Sequence, residues 1–147
     1  MKSASRLLPP WLLPLMVMVG LSACQIPPGP GTYPSPAAKL GTISRIVGSG
    51  EVQINQRRVY EGASMYSGDY IQTFADAQAT LELARGGKVL FDANTDPFME
   101  WVKSATCRLR ILINVGSILV DTPCETVAET GSGAVVTSLH TTFHLAV

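Results

Sequence analysis

Short apolar or alternating runs, divided by Gly, Asn, Asp and Pro, fill the sequence from Leu40 to Val147. This pattern is typical of strands joined by turns, and no run is long enough to favour a helix. In one run, Ala77, Ala79, Leu81 and Leu83 alternate with polar residues, as expected of a strand with one buried face. The pattern predicts an all-β domain of short antiparallel strands, built as a β-roll, a sandwich or a solenoid-like fold.

Two of the predicted turns have residues that suit tight connections. Asn55-Gln56 fits a two-residue hairpin, and Arg85-Gly86-Gly87 supplies glycine where a positive φ is needed. The predicted strands are Thr42–Val47, Glu51–Ile54, Arg57–Tyr60, Tyr70–Thr73, Ala77–Leu83, Lys88–Phe91, Phe98–Val102, Cys107–Ile113, Ser117–Asp121, Thr126–Thr130, Ala134–Leu139 and Thr142–Val147.

The first residues of the chain are typical of a secretory signal. Lys2 and Arg6 precede an apolar stretch, Leu7–Leu21, which is followed by small residues. The alternative is a membrane-spanning helix, but the stretch is shorter than the ~20 residues needed to span a bilayer and contains prolines. We therefore expect residues 1–23 to be a signal peptide that is removed.

The residues Leu21-Ser22-Ala23-Cys24 resemble the lipobox of bacterial lipoproteins. In that class the cysteine is acylated and becomes the mature N-terminus, so the resemblance implies a lipid anchor on Cys24 and a membrane as partner. The several acyl chains of such an anchor make attachment durable. Gln25 stands where an aspartate favours retention at the inner membrane. The implied location is the cell envelope, at the outer membrane and facing the periplasm.

Residues 24–39 are rich in proline and glycine and lack the apolar periodicity of a core. Such a segment favours extended polyproline geometry. At ~3.1 Å per residue, it would hold a folded domain roughly 40 Å from the lipid surface. The sequence thus predicts a signal peptide (1–23), a lipidated linker (24–39) and a β domain (40–147).

Three segments of the predicted domain carry motifs of one known family. Glu61–Val89 contains a spaced Gly68-Asp69 pair, then an alternating strand and a glycine turn. Val115–Val120 is similar to a glycine-led apolar strand of that family, and Thr126–Val147 is similar to its closing segment, with His140 in the place of a glycine. In these motifs the chain resembles FecR-type domains, which are envelope-side β domains, best known in regulators that relay an iron-uptake signal across the inner membrane to a sigma factor.

The resemblance implies a fold and an extracytoplasmic setting. The known regulators join this domain to a membrane helix and a cytoplasmic sigma-binding segment, and neither is recognised in this sequence. Because function depends on sites rather than on folds, the signalling role is not expected to carry over without that second half.

Cys107 and Cys124 remain once Cys24 is acylated, in a compartment that permits oxidation. If the chain turns back at Val115-Gly116, the two cysteines lie opposite each other in an antiparallel hairpin, at a separation that suits a disulfide. Val-Gly is not a favoured turn, and Pro123 disrupts the ladder beside Cys124. A disulfide is predicted, whereas a redox-active pair would more often have the Cys-x-x-Cys spacing.

Charge argues against nucleic acid as a partner. The chain has 11 basic and 11 acidic residues, and it becomes faintly acidic once Lys2 and Arg6 are removed. Basic residues that neutralise phosphates are clustered only at Arg57-Arg58 and at the pair Arg108 and Arg110.

The sequence contains no pattern that favours catalysis, a metal site or a cofactor. His140 and His144 would lie about 13 Å apart on one face of a strand, too far for one ion. No nucleophile is paired with a base at a recognised spacing. Asp69, after Gly68, is expected to accept backbone hydrogen bonds in a turn.

Phe98 and Trp101, with Met99 nearby, are candidates for an aromatic platform that contacts a glycan or a protein. A strand with period two places Met99 and Trp101 on one face and Phe98 on the other, so Trp101 is expected in the core.

The leading hypothesis is a non-enzymatic envelope lipoprotein whose domain is a binding or interaction module for an envelope protein or a cell-wall glycan. One alternative is a component of an envelope signalling system that contacts a separate transmembrane regulator through a strand edge near Thr142–Val147. Another alternative, an enzyme acting on envelope glycan, has no supporting constellation of residues.

Overall fold

The computed structural model describes residues 37–140 and 142–147. In it the chain forms two β-sheets that pack face to face. No helix occurs within these residues, so the predicted all-β class is confirmed. Of the three architectures that the sequence left open, the observed one is sandwich-like. The predicted signal peptide, Cys24 and the linker as far as Pro36 lie outside the described residues.

Thirteen short strands form the two sheets. They are β1 (Lys39–Gly48), β2 (Val52–Ile54), β3 (Arg57–Arg58), β4 (Ser64–Tyr66), β5 (Asp69–Thr73), β6 (Ala77–Leu83), β7 (Lys88–Phe91), β8 (Pro97–Trp101), β9 (Arg108–Ile113), β10 (Ser117–Asp121), β11 (Glu125–Thr130), β12 (Val135–Ser138) and β13 (Thr142–Ala146). The six-stranded sheet has the order β13-β10-β7-β6-β1-β4, and the seven-stranded sheet has the order β12-β11-β9-β8-β5-β2-β3.

The core lies between the two sheets because the strands turn alternate side chains inward. In β6 the four apolar residues are buried, while the residues between them are exposed or half-buried, as the sequence predicts. The same alternation holds in β8 and β9. The largest fully buried side chains come from both sheets: Phe91, Leu40, Ile43, Met65, Ile71, Leu81, Met99, Leu109, Ile111, Ile113, Ile118 and Val52.

Both predicted turns are present. Asn55 and Gln56 join β2 to β3 with φ angles of 50° and 65°, the left-handed values that a two-residue hairpin with the twist of a β-sheet requires. Gly86 and Gly87 join β6 to β7 with φ angles of 99° and 87°.

Strand β4 was not among the predicted strands. It has three residues, of which only Met65 is buried, and three residues are too few to show alternation.

The predicted hairpin between β9 and β10 is wrong. At Val115-Gly116 the chain crosses from the seven-stranded to the six-stranded sheet, so β10 pairs with β7 and β13 instead of β9. The chain then returns to the first sheet, where β11 pairs with β9 in parallel. This pair is also an exception to the predicted antiparallel pattern, since a parallel neighbour requires a crossover connection and β10 provides it.

The disulfide between Cys107 and Cys124 is confirmed, but the geometry that produces it differs from the predicted one. The cysteines directly precede the parallel pair of Arg108 with Glu125, and their Cα atoms are 5.0 Å apart. The backbone N–H of Glu125 donates to the carbonyl of Cys107 at 3.1 Å. The disulfide therefore joins the beginnings of two parallel strands and closes a loop that contains all of β10.

Thr95 links the two sheets beside the β9–β10 crossing. Its carbonyl accepts the backbone N–H of Thr73 in the seven-stranded sheet at 2.9 Å. Its Oγ1 accepts the backbone N–H of Ser117 in the six-stranded sheet at 3.0 Å. Gly116 packs against Thr95 with a φ of 104°, and a Cβ atom on this glycine would overlap the Thr95 backbone. The crossing therefore requires glycine both for its backbone conformation and for close approach.

Replacing Cys107 and Cys124 together by serine is expected to lower the free energy of unfolding by about 3 kcal/mol, because the bond restricts the unfolded chain. Urea unfolding of the full chain measures this change. Reduction of the native chain by dithiothreitol is the matched control and is expected to give the same loss. Equal stability of the native, reduced and doubly substituted chains would contradict a stabilising role.

An unfavourable φ alone costs about 1–3 kcal/mol. The substitution Gly116→Ala is expected to destabilise the domain by more than this amount, because the new methyl group also overlaps Thr95. Gly133→Ala is the matched control, because Gly133 has a φ of 87° and no atom within 4 Å of an added Cβ. Thermal unfolding of the two variants compares them. A larger loss for Gly133→Ala would show that the contact with Thr95 is unimportant.

Candidate functional site

A row of side chains crosses the outer face of the seven-stranded sheet. Tyr70 in β5 is paired with Phe98 in β8, and Phe98 is paired with Leu112 in β9. Leu112 is in turn beside Glu129 in β11. We call Tyr70, Phe98 and Leu112 the apolar row. The row exists because residues that alternate with the core positions of neighbouring strands come into register on the outer face.

The two aromatic side chains of the apolar row contact each other, and side-chain amides hold Tyr70 in place. The ring centroids of Tyr70 and Phe98 are 6.5 Å apart at an interplanar angle of 49°, within the range of favourable aromatic pairs. The backbone N–H of Tyr70 donates to Oδ1 of Asn55 at 2.9 Å, and Nδ2 of Asn114 donates to the Tyr70 hydroxyl at 3.3 Å. Tyr70 therefore has a defined position although it is 38% exposed.

Charged side chains lie next to the apolar row and form what we call the charged ladder. Arg110 in β9 donates to Glu100 in β8 at 3.1 Å and to Glu129 in β11 at 3.3 Å. Hydrogen bonds from Arg110 to Glu100 and then to Glu129 raise the pKa of its guanidinium above the ordinary value. Two carboxylates share one guanidinium, so the ladder has a net negative charge. Exposed ion pairs of this kind add little stability.

Two open grooves meet at Tyr70. The groove on the side of Phe98 has a volume of about 450 Å³ and also has Glu129 on its wall. The groove on the other side has a volume of about 440 Å³ and is lined by amide side chains. The groove on the side of Phe98 is lined by Tyr70, Phe98, Leu112, Asn114, Glu129, Thr130 and Gly131. The groove on the other side is lined by Asn55, Gln56, Tyr70 and Gln72. Together they offer aromatic surface beside carboxylate and amide groups.

A third groove, of about 430 Å³, lies where β1 faces the β2–β3 hairpin. Its polar groups are already used within the chain. The Glu61 carboxylate accepts the backbone N–H of Ile46 at 2.9 Å, and the guanidinium of Arg58 lies over the Tyr60 ring at 5.5 Å from its centroid. The two grooves at Tyr70 are the better candidate site because they share an aromatic pair, Tyr70 with Phe98, whereas the third groove has Tyr60 as its only aromatic lining residue.

The predicted aromatic residues divide between the two faces of β8 as expected. Trp101 and Met99 face the core, and Phe98 faces outward. The Trp101 Nε1 donates to the carbonyl of Lys39 at 3.1 Å, and the guanidinium of Arg85 lies 4.7 Å from its ring centroid. Tyr70, the aromatic partner of Phe98, was not among the predicted site residues. Alternation places it outward, but only the pairing of β5 with β8 places it beside Phe98.

Asp69 has the predicted role in a turn. Its Oδ2 accepts the backbone N–H of Tyr66 at 2.7 Å, and its Oδ1 accepts Nδ2 of Asn55 at 2.8 Å. Gly68, just before it, has a φ of 93°. The carboxylate is thereby engaged in supporting the backbone next to Tyr70.

The two histidines do not share a strand, contrary to the expectation for His140 and His144. His140 precedes β13 and has a φ of 52°, a left-handed conformation that glycine adopts readily. His144 lies within β13, and its Nε2 is 2.5 Å from the hydroxyl of Ser117. The Asp121 carboxylate nearby accepts the Thr142 hydroxyl at 3.1 Å. Across residues 37–140 and 142–147, no three His, Cys, Asp or Glu side chains converge as metal ligands would.

Comparison with known protein families, curated proteins and solved structures finds no match for this chain. The part of the chain that the structure describes has no helix with the length and apolar character needed to cross a membrane. Function is therefore inferred from the residues of the outer face and from the sequence motifs.

Proposed function

We propose that this chain is a non-enzymatic lipoprotein of the bacterial cell envelope whose β domain is a binding module. The observation that carries the proposal is the site at Tyr70, where an aromatic pair, a carboxylate and several amides surround two open grooves on a rigid sheet. Sites for small ligands have this combination of apolar surface and a few placed polar groups. The lipobox-like residues before Cys24 and the resemblance to FecR-type domains support the location.

The chemistry of the outer face favours a cell-wall glycan at this site over a protein. Sugar rings have apolar C–H faces that stack on aromatic rings, and hydroxyl groups that bond to carboxylates and amides. Phe98 and Leu112 are half-buried, so the apolar row is narrower than the extended apolar patches that mark protein interfaces. The net negative charge of the ladder disfavours strongly anionic polysaccharides. The best ligand is a neutral saccharide chain that lies across Tyr70.

Acylation of Cys24 is tested by growth with a radioactive fatty acid. The native chain is expected to incorporate label, and Cys24→Ala is expected to incorporate none because the acceptor sulfur is lost. The double variant Cys107→Ser, Cys124→Ser is the control and keeps the label. Label in the Cys24→Ala chain, or a recovered native chain that retains its initial methionine, would overturn the proposed anchor.

Substitution of either Tyr70→Ala or Phe98→Ala is expected to weaken binding to peptidoglycan sacculi at least about tenfold, equivalent to about 1.4 kcal/mol, because the stacking surface is lost. Co-sedimentation of the full chain in detergent with sacculi measures the affinity. Tyr60→Ala is the matched control, since Tyr60 is 66% exposed and lies outside both grooves. Thermal unfolding checks that each variant is folded. Unchanged binding in both test variants, or no binding by the native chain, would overturn the glycan assignment.

The second candidate function is a component of an envelope signalling system that contacts a separate regulator. It is favoured by β13, which pairs with β10 on one side only among the described strands and thus has an edge suited to strand addition. Recovery of a transmembrane regulator, rather than glycan, when the full chain is purified from envelope extracts would favour this function.

A further inference from the structure

The four edge strands of the described sheets differ in how well they are protected against strand addition. Strand β3 has two residues, both arginine, and β4 has three residues. Strand β12 has four residues and β13 has five. The pairing of β13 with β10 is continuous from Thr142 to Ala146 without a bulge. The edge of β13 is therefore the longest of the four, and it is regular throughout.

Proteins usually protect such an edge with charges, proline, bulges or short length. None of these devices is present in β13. From Thr130 to Val147 the sequence contains no Asp, Glu, Lys, Arg or Pro. Phe143 and Leu145 point toward the core but are only half-buried. An uncharged, regular edge with partly exposed apolar side chains fits another uncharged strand.

The hydrogen bonds to β10 fix which backbone groups of β13 point away from the sheet. Val147 and Gly116 exchange backbone hydrogen bonds at 2.8 and 3.4 Å. Antiparallel pairs alternate along the ladder, so Leu145 and Phe143 also direct their N–H and C=O groups at β10. The backbone groups that have no partner strand among the described residues belong to Thr142, His144 and Ala146, which are symmetric about His144.

We propose that β13 pairs with β13 of a second copy of this chain, in antiparallel orientation and with the two-fold axis at His144. In this register Thr142 of each copy lies opposite Ala146 of the other, and their free N–H and C=O groups form hydrogen bonds. Phe143 of each copy lies opposite Leu145 of the other, so the half-buried apolar side chains cover each other.

We infer that a second copy of this chain pairs with the β13 edge because the edge is complementary to itself. Its two half-buried apolar residues, Phe143 and Leu145, lie one on each side of His144, as an isologous interface centred on that residue requires. Pairing brings no like charges opposite each other, and the strand has no charge that would select a differently charged partner. The six-stranded sheet becomes continuous across the dimer. This interface is independent of the proposed glycan site, which lies on the other sheet.

Cross-linking of the full chain in detergent under mild oxidation tests the register. In the proposed dimer the two residues at position 144 form a hydrogen-bonded pair with Cα atoms about 5.5 Å apart, within the range of a disulfide. His144→Cys is therefore expected to give a covalent dimer on a non-reducing gel. Thr142→Cys is the matched control on the same strand and face, since its counterpart lies about 13 Å away along the strand. A mixture of Thr142→Cys with Ala146→Cys chains is expected to cross-link.

Charged substitutions at position 144 test the interface without a disulfide. Both variants lose the hydrogen bond between His144 and Ser117, so this loss is the same in each. By sedimentation the native chain is expected to be dimeric, and the His144→Lys and His144→Glu chains are each expected to be monomeric because like charges meet at the axis. Mixing the two variants is expected to restore a dimer. Equal cross-linking at positions 142 and 144, or a native chain that sediments as a monomer, would overturn the proposal. Glycan binding stays unchanged in either case.

Discussion

The two sheets pack against each other through one shared apolar core, and this packing sets the direction of every side chain in the strands. Residues such as Leu81 in the six-stranded sheet and Ile111 in the seven-stranded sheet are fully buried between the layers. Each strand can contribute to that core only with alternate residues, so the intervening residues must lie on an outer face. Burial of apolar area is the main favourable contribution to folding, and it fixes the register of every strand that has one buried face.

The candidate site is a consequence of that register. Tyr70, Phe98 and Leu112 point outward because the residues next to them point inward, and they are neighbours because β5, β8 and β9 are neighbours. In the charged ladder, Glu100 and Arg110 are paired two residues along from Phe98 and Leu112, while Glu129 lies beside Leu112 and reaches Arg110 diagonally. A rigid sheet thus positions a set of side chains that are far apart in sequence, without the need for long loops.

The chain crosses between the two sheets, so some strands that are consecutive in sequence, such as β9 and β10, lie in different sheets. The chain passes from β9 to β10 and back to β11, and the Cys107–Cys124 bond closes this excursion. Gly116 and Thr95 allow the crossing because they pack closely at the point where the chain changes sheet.

The C-terminal part of the domain has no charged side chains in its strands. After Glu129 the sequence contains no acidic or basic residue other than histidine. The last two strands, each at the edge of a sheet, are therefore uncharged.

Features that depend on residues close together in the chain could be predicted from the amino-acid sequence. Alternation gave the all-β class and placed Trp101 in the core, and Asn55-Gln56 and Gly86-Gly87 fixed two turns through their local backbone preferences. The pairing of the two cysteines was also predicted, although from a hairpin that does not exist. Strand β4 was missed because three residues are too few to show alternation.

Which strands are neighbours became known from the folded domain alone. The parallel pairing of β9 with β11, the contact of Tyr70 with Phe98 and the place of β13 at the edge of the described sheet each depend on residues far apart in sequence. The physical reason is that alternation defines the two faces of a strand but leaves its partners unspecified. Partners are selected by packing of the whole core, and in this chain also by a close contact at Gly116 that has no local signature.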